Sequence, residues 1–282
     1  MRIEQLDSDA VVFVGDSYES VATAFFDGDD AVLVDALASD TDALRMKQHL
    51  EGELGKRVRM VIATHYMTDH IAGLKLFPDA IIVAHRYFMH TFATQRKRTP
   101  RDADAFVRPN IVIDEGMSLH WGRYTLDVFH NPGKTMCKLN IDVPQADVVI
   151  AGDNVVGNTV YLSRAAPELI DAALARLQRR GRRRVIGGHM GVMPARVLEN
   201  ARLYLARIRD SVQSIRQRFP ENEWEQQIRQ IGIASCLAPG VDPAPFEIEW
   251  HGRNLDVIVE QGTFSVTTFP NEEGAMSEMR AA

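Results

Sequence analysis

Two histidines and an aspartate lie close together in the segment THYMTDH, as His65, Asp69 and His70. Imidazole nitrogens and carboxylate oxygens are the ligands with which proteins bind zinc and iron. The apolar run 58–63 precedes them and predicts a strand, and residues 71–77 predict a helix. Side chains at such a strand-to-helix junction can point into one pocket. The alternative is that these polar residues only cap the helix.

Three later apolar runs also end in residues that can bind a metal or carry a charge. They are 126–129, followed by His130 and Lys134; 148–152, followed by Asp153; and 185–188, followed by His189. Ligands of layered α/β proteins collect at the carboxyl ends of the strands. Four such endings in one chain therefore favour one shared site over four unrelated loops.

The elements that would position these residues alternate between strands and helices along both halves of the chain. Strands are predicted at 10–14, 20–26, 31–34, 58–63, 80–84, 111–113, 124–129, 139–143, 148–151 and 185–186, and the longer helices at 40–55, 85–98, 167–179, 195–219, 223–231 and 246–260. Two halves of this kind predict two stacked mixed sheets with helices outside them.

The composition is typical of a globular protein that can bury a core, with 45% apolar and 25% charged residues among 282. The net charge of −6 gives no general attraction to nucleic acid or to an anionic membrane. The arginines between 176 and 184 are expected to form a solvated surface at a helix end. We therefore expect a small-molecule substrate and no nucleic-acid or membrane partner, and the oligomeric state stays open.

The cysteines and the start of the chain bear on location. The two cysteines, Cys137 and Cys236, lie far apart, so a disulfide framework is not expected to hold the fold. The first residues lack the basic start and apolar centre of a signal peptide, and no apolar run reaches the ~18 residues of a membrane helix. These features predict a cytoplasmic protein.

The order and spacing of the four motifs resemble those of the metallo-β-lactamase superfamily, over roughly residues 1–215. The signatures of that family are His-x-His-x-Asp-His, Pro-Gly-His-Thr, Gly-Asp and a glycine-rich turn that ends in histidine. The resemblance implies an α/β fold, a four-layer αββα sandwich of two mixed β-sheets with helices outside. Residues 216–282 would then form a helical C-terminal extension packed on the same domain.

The resemblance also implies two metal positions, and the second of them is complete. Its ligands in this chain would be Asp69, His70, His189 and Asp153, of which Asp153 bridges to the first position. The chain therefore resembles a family member that can still bind a metal at the second position.

The first position departs from the family pattern. It would use His65, residue 67, residue 134 and Asp153, but the chain has Met67 and Lys134 where the family has histidines. A thioether is a poor ligand for a borderline dication, and a protonated lysine opposes a cation there. Lys134 could pair with Asp153 and stabilise a developing oxyanion, or it could extend into solvent. Asp153 could hold the metal or act as a general base.

These features predict a metal-dependent hydrolase of a small ester, lactone, thioester or amide. It would use one divalent metal at the second position, zinc in preference to iron, with Lys134 and Asp153 as catalytic residues. Tyr161 and His251 are the predicted substrate-binding residues, and His65 is counted among the metal ligands. The alternative is a degenerate, non-hydrolytic family member that binds a small ligand or a partner.

Overall fold

A computed structural model describes residues 1–94, 99–162 and 166–264 of the chain. Its strands are β1 (Arg2–Asp7), β2 (Ala10–Val14), β3 (Val21–Asp27), β4 (Asp30–Val34), β5 (Arg57–Ile62), β6 (Ile81–His85), β7 (Ile111–Ile113), β8 (Gly116–Trp121), β9 (Tyr124–His130), β10 (Leu139–Val143), β11 (Val148–Gly152), β12 (Arg184–Gly187) and β13 (Val192–Pro194). Its α-helices are α1 (Asp40–Lys47), α2 (Thr68–Ile71), α3 (Phe88–Thr94), α4 (Pro100–Ala105), α5 (Pro167–Gln178), α6 (Arg196–Arg218), α7 (Trp224–Arg229), α8 (Ile233–Cys236) and α9 (Pro245–Gln261).

The strands form two mixed sheets. The first has the order β1-β2-β3-β4-β5-β6-β7, and β4 to β7 are parallel. The second has the order β13-β12-β11-β10-β9-β8, in which only β11 and β12 are parallel among the described pairs. Two of the parallel strands, β4 and β11, are almost entirely buried and read as runs of Val, Leu, Ile and Ala, as expected for strands covered on both faces.

Three apolar clusters account for the layers. One lies between the sheets and joins side chains of both, for example Val32 and Ile62 with Ile141 and Ile150. A second joins the outer face of the first sheet to α1, α2 and α3, and a third joins the outer face of the second sheet to α5, α6 and α9. The predicted αββα sandwich with a helical C-terminal part is confirmed.

The element bounds differ from the sequence-based ones at several points. Helix α1 ends at Lys47 and continues as a π-helix, Gln48–Glu53. The helix predicted at 85–98 starts at Phe88, and residues 95–98 lie outside the described part of the chain. Strand β8 was not predicted, because its side chains alternate between exposed and half-buried and give no apolar run.

The C-terminal part is continuous with the sandwich. The predicted boundary at residue 215 lies within α6, which extends to Arg218. Side chains of α6, α8 and α9 share the third apolar cluster with strand β11. Residues 265–282 of the predicted extension lie outside the described residues. In the part that is described, no helix combines the length and apolarity that a membrane crossing requires.

Candidate metal centre

The carboxyl ends of β4, β5, β11 and β12 meet at one edge of the sandwich. The polar residues that follow them are Asp35, His65, Asp153 and His189. Two contacts fix the ends relative to each other: Thr64 N donates to Asp35 Oδ1 (2.7 Å), and Val21 N donates to Gly188 O across the two sheets (2.9 Å). The fold therefore gathers residues far apart in the sequence into one buried group.

The second-position residues predicted from the sequence lie together. One ligand atom from each of Asp69, His70, Asp153 and His189 lies within 4.8 Å of the others. His70 Nε2 is 3.0 Å from Asp153 Oδ1, and His189 Nε2 is 3.4 Å from both Asp153 Oδ1 and Asp69 Oδ2. A Cβ on Gly188 would come within 1.9 Å of Asp153 Oδ1, so only glycine allows this approach.

The donor and acceptor arrangement of this cluster fits a cation. His70 Nδ1 donates to Asp35 Oδ2 (3.0 Å) and His189 Nδ1 donates to Tyr18 O (2.6 Å), so each neutral ring presents the Nε2 lone pair to the cluster. Among the described residues, His70 Nε2, His189 Nε2 and Asp153 Oδ1 are buried without a hydrogen-bond partner. Lone pairs that face one another in this way require a metal ion or protons between them.

The pKa values of the two histidines also indicate a site that favours a cation. Burial lowers the pKa of a histidine, yet Asp153 and Asp69 raise that of His70 to about 10. The pKa of His189 is also raised, because Asp153 and Asp69 together outweigh the effect of burial. The cluster therefore concentrates negative potential where a cation would be bound.

The first position is occupied by a lysine. Lys134 is buried, its ammonium forms an ion pair with Asp153 Oδ2, and Nζ lies 3.8 Å from the centre of the Tyr161 ring. The alternative in which Lys134 extends into solvent is wrong. Met67 packs against the apolar cluster outside the first sheet, so it contributes to the core.

The two oxygens of Asp153 face different partners. Oδ2 accepts from Lys134 and lies 3.2 Å from His65 Nε2, while Oδ1 faces His70 and His189. Burial and Lys138 lower the pKa of His65 to about 3, so its ring is neutral. One carboxylate thus joins a lysine-filled first position to a second position suited to a metal.

Aromatic side chains cover the cluster. Tyr161 lies beside Lys134, with its ring centre 6.0 Å from that of His189. From α9, Phe246 stacks on His189 at 5.0 Å, and Trp250 contacts Tyr161 edge-on at 4.6 Å. The structure therefore places Tyr161 beside the cluster, and its role in substrate binding stays a prediction.

His251 lies elsewhere. Its Nδ1 is 2.9 Å from Tyr204 OH, and its Nε2 is 2.8 Å from Ile231 O. Both nitrogens therefore have partners within the helical layer, on the side of α9 that faces α6. The structure gives His251 a packing role and no contact with the described residues of the cluster, which corrects the prediction that it lines the pocket.

Four residues of the site were missed from the sequence: Asp35, Lys138, Phe246 and Trp250. Asp35 follows a strand like the other polar residues, so the same signal could have found it. Lys138 gave no signal, because a lysine four residues after another reads as surface charge. Phe246 and Trp250 lie on a helix whose inward face could not be assigned from the sequence.

Comparisons with known proteins agree with this geometry. A family model described as "Metallo-beta-lactamase superfamily" matches residues 11–209. A comparison with curated protein sequences found no significant match.

Solved structures share the fold at low sequence identity. A metallo-beta-lactamase from Pontibacter korlensis has a TM-score of 0.62 at 17% identity, covering 73% of this chain and 98% of that one. A metallo-beta-lactamase from Erythrobacter litoralis has a TM-score of 0.58 at 14% identity, covering 71% and 93%. A stereoselective inverting sec-alkylsulfatase from Pseudomonas sp. has a TM-score of 0.67 at 12% identity, covering 92% of this chain and 49% of that one.

Proposed function

Because the chain belongs to the metallo-β-lactamase superfamily, we propose that it is a metal-dependent hydrolase with a single divalent ion. Asp69, His70, Asp153 and His189 would hold that ion, and zinc suits their nitrogen and oxygen ligands. The observation that carries the proposal is that two buried Nε2 lone pairs and a carboxylate oxygen face one point without hydrogen bonds. When bound, such an ion acts as a Lewis acid and makes water more acidic.

Lys134 is the residue that we propose for oxyanion stabilisation. Its ammonium is held between Asp153 and the face of Tyr161, so it is fixed in place inside a buried pocket. A donor fixed in advance stabilises the negative oxygen that develops when water attacks an ester, lactone, thioester or amide carbonyl.

In this proposal Asp153 is a ligand of the metal and does not act as a general base. One of its oxygens is engaged by Lys134 and the other faces the proposed ion. Burial favours the protonated acid, but the charges of His70 and Lys134 keep the pKa of Asp153 well below its ordinary value. A carboxylate with so low a pKa is a poor general base, which favours the first of the two roles considered for it.

The substrate is proposed to be a small molecule. The aromatic wall of Tyr161, Phe246 and Trp250 offers apolar contact beside Lys134 and His189. The structural similarity to a sec-alkylsulfatase adds an alkyl sulfate to the esters, lactones, thioesters and amides that should be tested.

A non-hydrolytic binding protein is the second candidate. The Lys134–Asp153 ion pair favours it, because it supplies a positive charge at the first position without any metal. In that case the pocket would bind a ligand, and the protein would show no turnover of the substrates above.

Metal content and hydrolysis, measured together, separate the two candidates. Protein purified without chelators is expected to contain a single divalent ion per chain by elemental analysis and to hydrolyse at least one substrate of the panel. Asp69→Ala and His189→Ala should lose both the ion and the activity, because each removes a ligand. His120→Ala, at an exposed histidine of β8, is the control and should keep both.

Two outcomes count against the hydrolase. Hydrolysis by protein that contains no metal would contradict a metal-dependent reaction. A full complement of metal with no turnover of any substrate would favour the binding protein.

A further inference from the structure

Lys138 is a second lysine in the site, and the proposed chemistry does not use it. It immediately precedes β10 and is fully buried. Its Nζ lies 3.0 Å from Thr64 Oγ1 and 3.2 Å from His65 Nδ1. A Cβ on Gly152, which has a φ of +47°, would come within 2.2 Å of this nitrogen. The backbone of Gly152 therefore passes directly over the ammonium and encloses it.

The contacts of Lys138 determine where His65 carries its proton. The Thr64 hydroxyl donates to Asp35 Oδ2 (2.8 Å) and accepts from Lys138. His65 Nδ1 also lies 3.0 Å from Thr64 Oγ1, whose second lone pair could accept a proton from the ring. An ammonium has donors only, however, so a proton on Nδ1 would face the Lys138 ammonium at 3.2 Å, whereas a proton on Nε2 is donated to Asp153 Oδ2 at 3.2 Å. These two contacts favour Nδ1 as the accepting nitrogen and Nε2 as the protonated one.

His70 has the opposite tautomer. Its Nδ1 donates to Asp35, so in the neutral ring that a metal requires, the Nε2 lone pair faces the second position. A histidine binds a metal through a lone pair, and the partner of the other nitrogen decides which one is available. The same motif thus holds one histidine with a lone pair directed into the site and one with a proton directed into it.

We propose that Lys138 is a positioning residue that keeps His65 from binding a metal. It fixes His65 as an N–H donor to Asp153, so the first position is closed by Lys134 and by His65 together. This inference rests on the proposed single-metal site at the second position. In this proposal His65 is a hydrogen-bond partner of Asp153, whereas the sequence analysis had included it among the metal ligands. Lys138 then joins Met67 and Lys134 as a third residue that opposes a metal at the first position.

The proposal makes a distinct prediction about restoring two metals. From the sequence, Met67→His with Lys134→His supplies the missing ligands and should suffice for a second ion. From the structure, this double variant should still bind one zinc per chain, because His65 keeps its proton on Nε2. Adding Lys138→Met should raise the content to two. Methionine is an unbranched apolar residue of similar length, so it removes the ammonium and keeps most of the packing of the side-chain stem.

The experiment is zinc content after equilibration with zinc chloride and removal of the unbound metal. The wild type, the double variant and the triple variant are compared, and Lys75→Met added to the double variant is the control for loss of a lysine. The proposal is overturned by a double variant that already binds two ions, or by a triple variant that still binds one.

A measurement on the metal-free wild type does not depend on any variant. Nitrogen-15 NMR of the histidine rings reports which nitrogen carries the proton, and His65 is expected to be protonated on Nε2 only. Protonation of His65 on Nδ1 would overturn the role of Lys138. If the wild type binds no zinc while His65 has the expected tautomer, the proposed function fails and the positioning role of Lys138 stands.

Discussion

At the scale of single residues, Asp153 divides the site into two parts. A carboxylate between two metal ions would be shared by two dications, whereas here one oxygen is paired with the Lys134 ammonium. The lysine carries a fixed positive charge and cannot be lost to a chelator. The second position then depends on Asp153 Oδ1 with Asp69, His70 and His189. A metal bound there would have the Lys134 ammonium as its charged neighbour in place of a second metal.

The proton balance of the second position can be tested. In the metal-free protein the neighbouring carboxylates raise the pKa of His70, against the effect of burial, to about 10 and also raise that of His189. The His70 ring therefore holds an extra proton at pH 7 and the His189 ring keeps its own to a higher pH than an ordinary histidine, so a metal must displace protons from the cluster. We expect zinc binding to release protons and its apparent affinity to increase with pH across pH 6 to 8.

Titration calorimetry in buffers of different ionisation enthalpy measures this release. The binding enthalpy should depend on the buffer for the wild type. The His120→Ala variant is the control and should give the same dependence. Binding that is independent of both buffer and pH would contradict a site made of these histidines.

At the scale of elements, helix α9 holds the loop that carries Tyr161. Glu247 is buried and accepts from the backbone N of Asn158, from Asn158 Nδ2 (2.9 Å) and from the Ala244 backbone (2.7 Å). Asn254 accepts from Leu162 N and donates to Val160 O. Two side chains of one helix therefore satisfy the backbone on both sides of Tyr161. The helical layer contributes to the pocket as well as to the core.

Glu247→Ala tests this connection. The loss of a buried carboxylate that accepts several hydrogen bonds should reduce the free energy of unfolding by about 1.5–3 kcal/mol. Glu249→Ala, on the exposed face of the same helix, is the matched control and should change it by less than about 0.5 kcal/mol. Urea unfolding measures both, and equal effects of the two substitutions would refute the specific role of Glu247.

At the scale of the whole molecule, the C-terminal helices and the sandwich share one core. The third apolar cluster joins Ile258 and Leu255 of α9 to Ala201 and Leu205 of α6 and to Val149 of β11. The family model ends at residue 209, but the packing continues beyond it. The described chain is therefore expected to unfold in one cooperative transition.

Ile258→Ala measures how strongly α9 is coupled to the rest. Ile258 is fully buried, so the cavity should reduce the free energy of unfolding by about 2–5 kcal/mol within a single transition. Ile248→Ala, at a position that is 51% exposed on the same helix, should have an effect below about 0.5 kcal/mol. A separate early transition in Ile258→Ala, with the main transition unchanged, would show that α9 folds as an independent unit.

The sequence by itself determined the layers and the residues at the strand ends. Apolar runs fix which segments become buried strands, and the polar residue after each run is carried to the same edge of the sandwich. The strand ends thus predicted one shared site, and the resemblance to the metallo-β-lactamase superfamily grouped Asp69, His70, Asp153 and His189 within it, four residues that the structure brings together. The departures at residues 67 and 134 were equally visible, because they are differences within motifs of fixed spacing.

Only the tertiary structure decided how the site is closed. Lys138 reaches His65 across 73 positions of sequence, and no local pattern encodes that contact. Trp250 and His251 are neighbours in the chain, but one turns toward Tyr161 and the other toward Tyr204, because successive residues of a helix point about 100° apart. Which face of α9 meets the site depends on packing against the sandwich. Sequence patterns select the residues of such a site, and the packing of distant elements sets their partners, tautomers and charge.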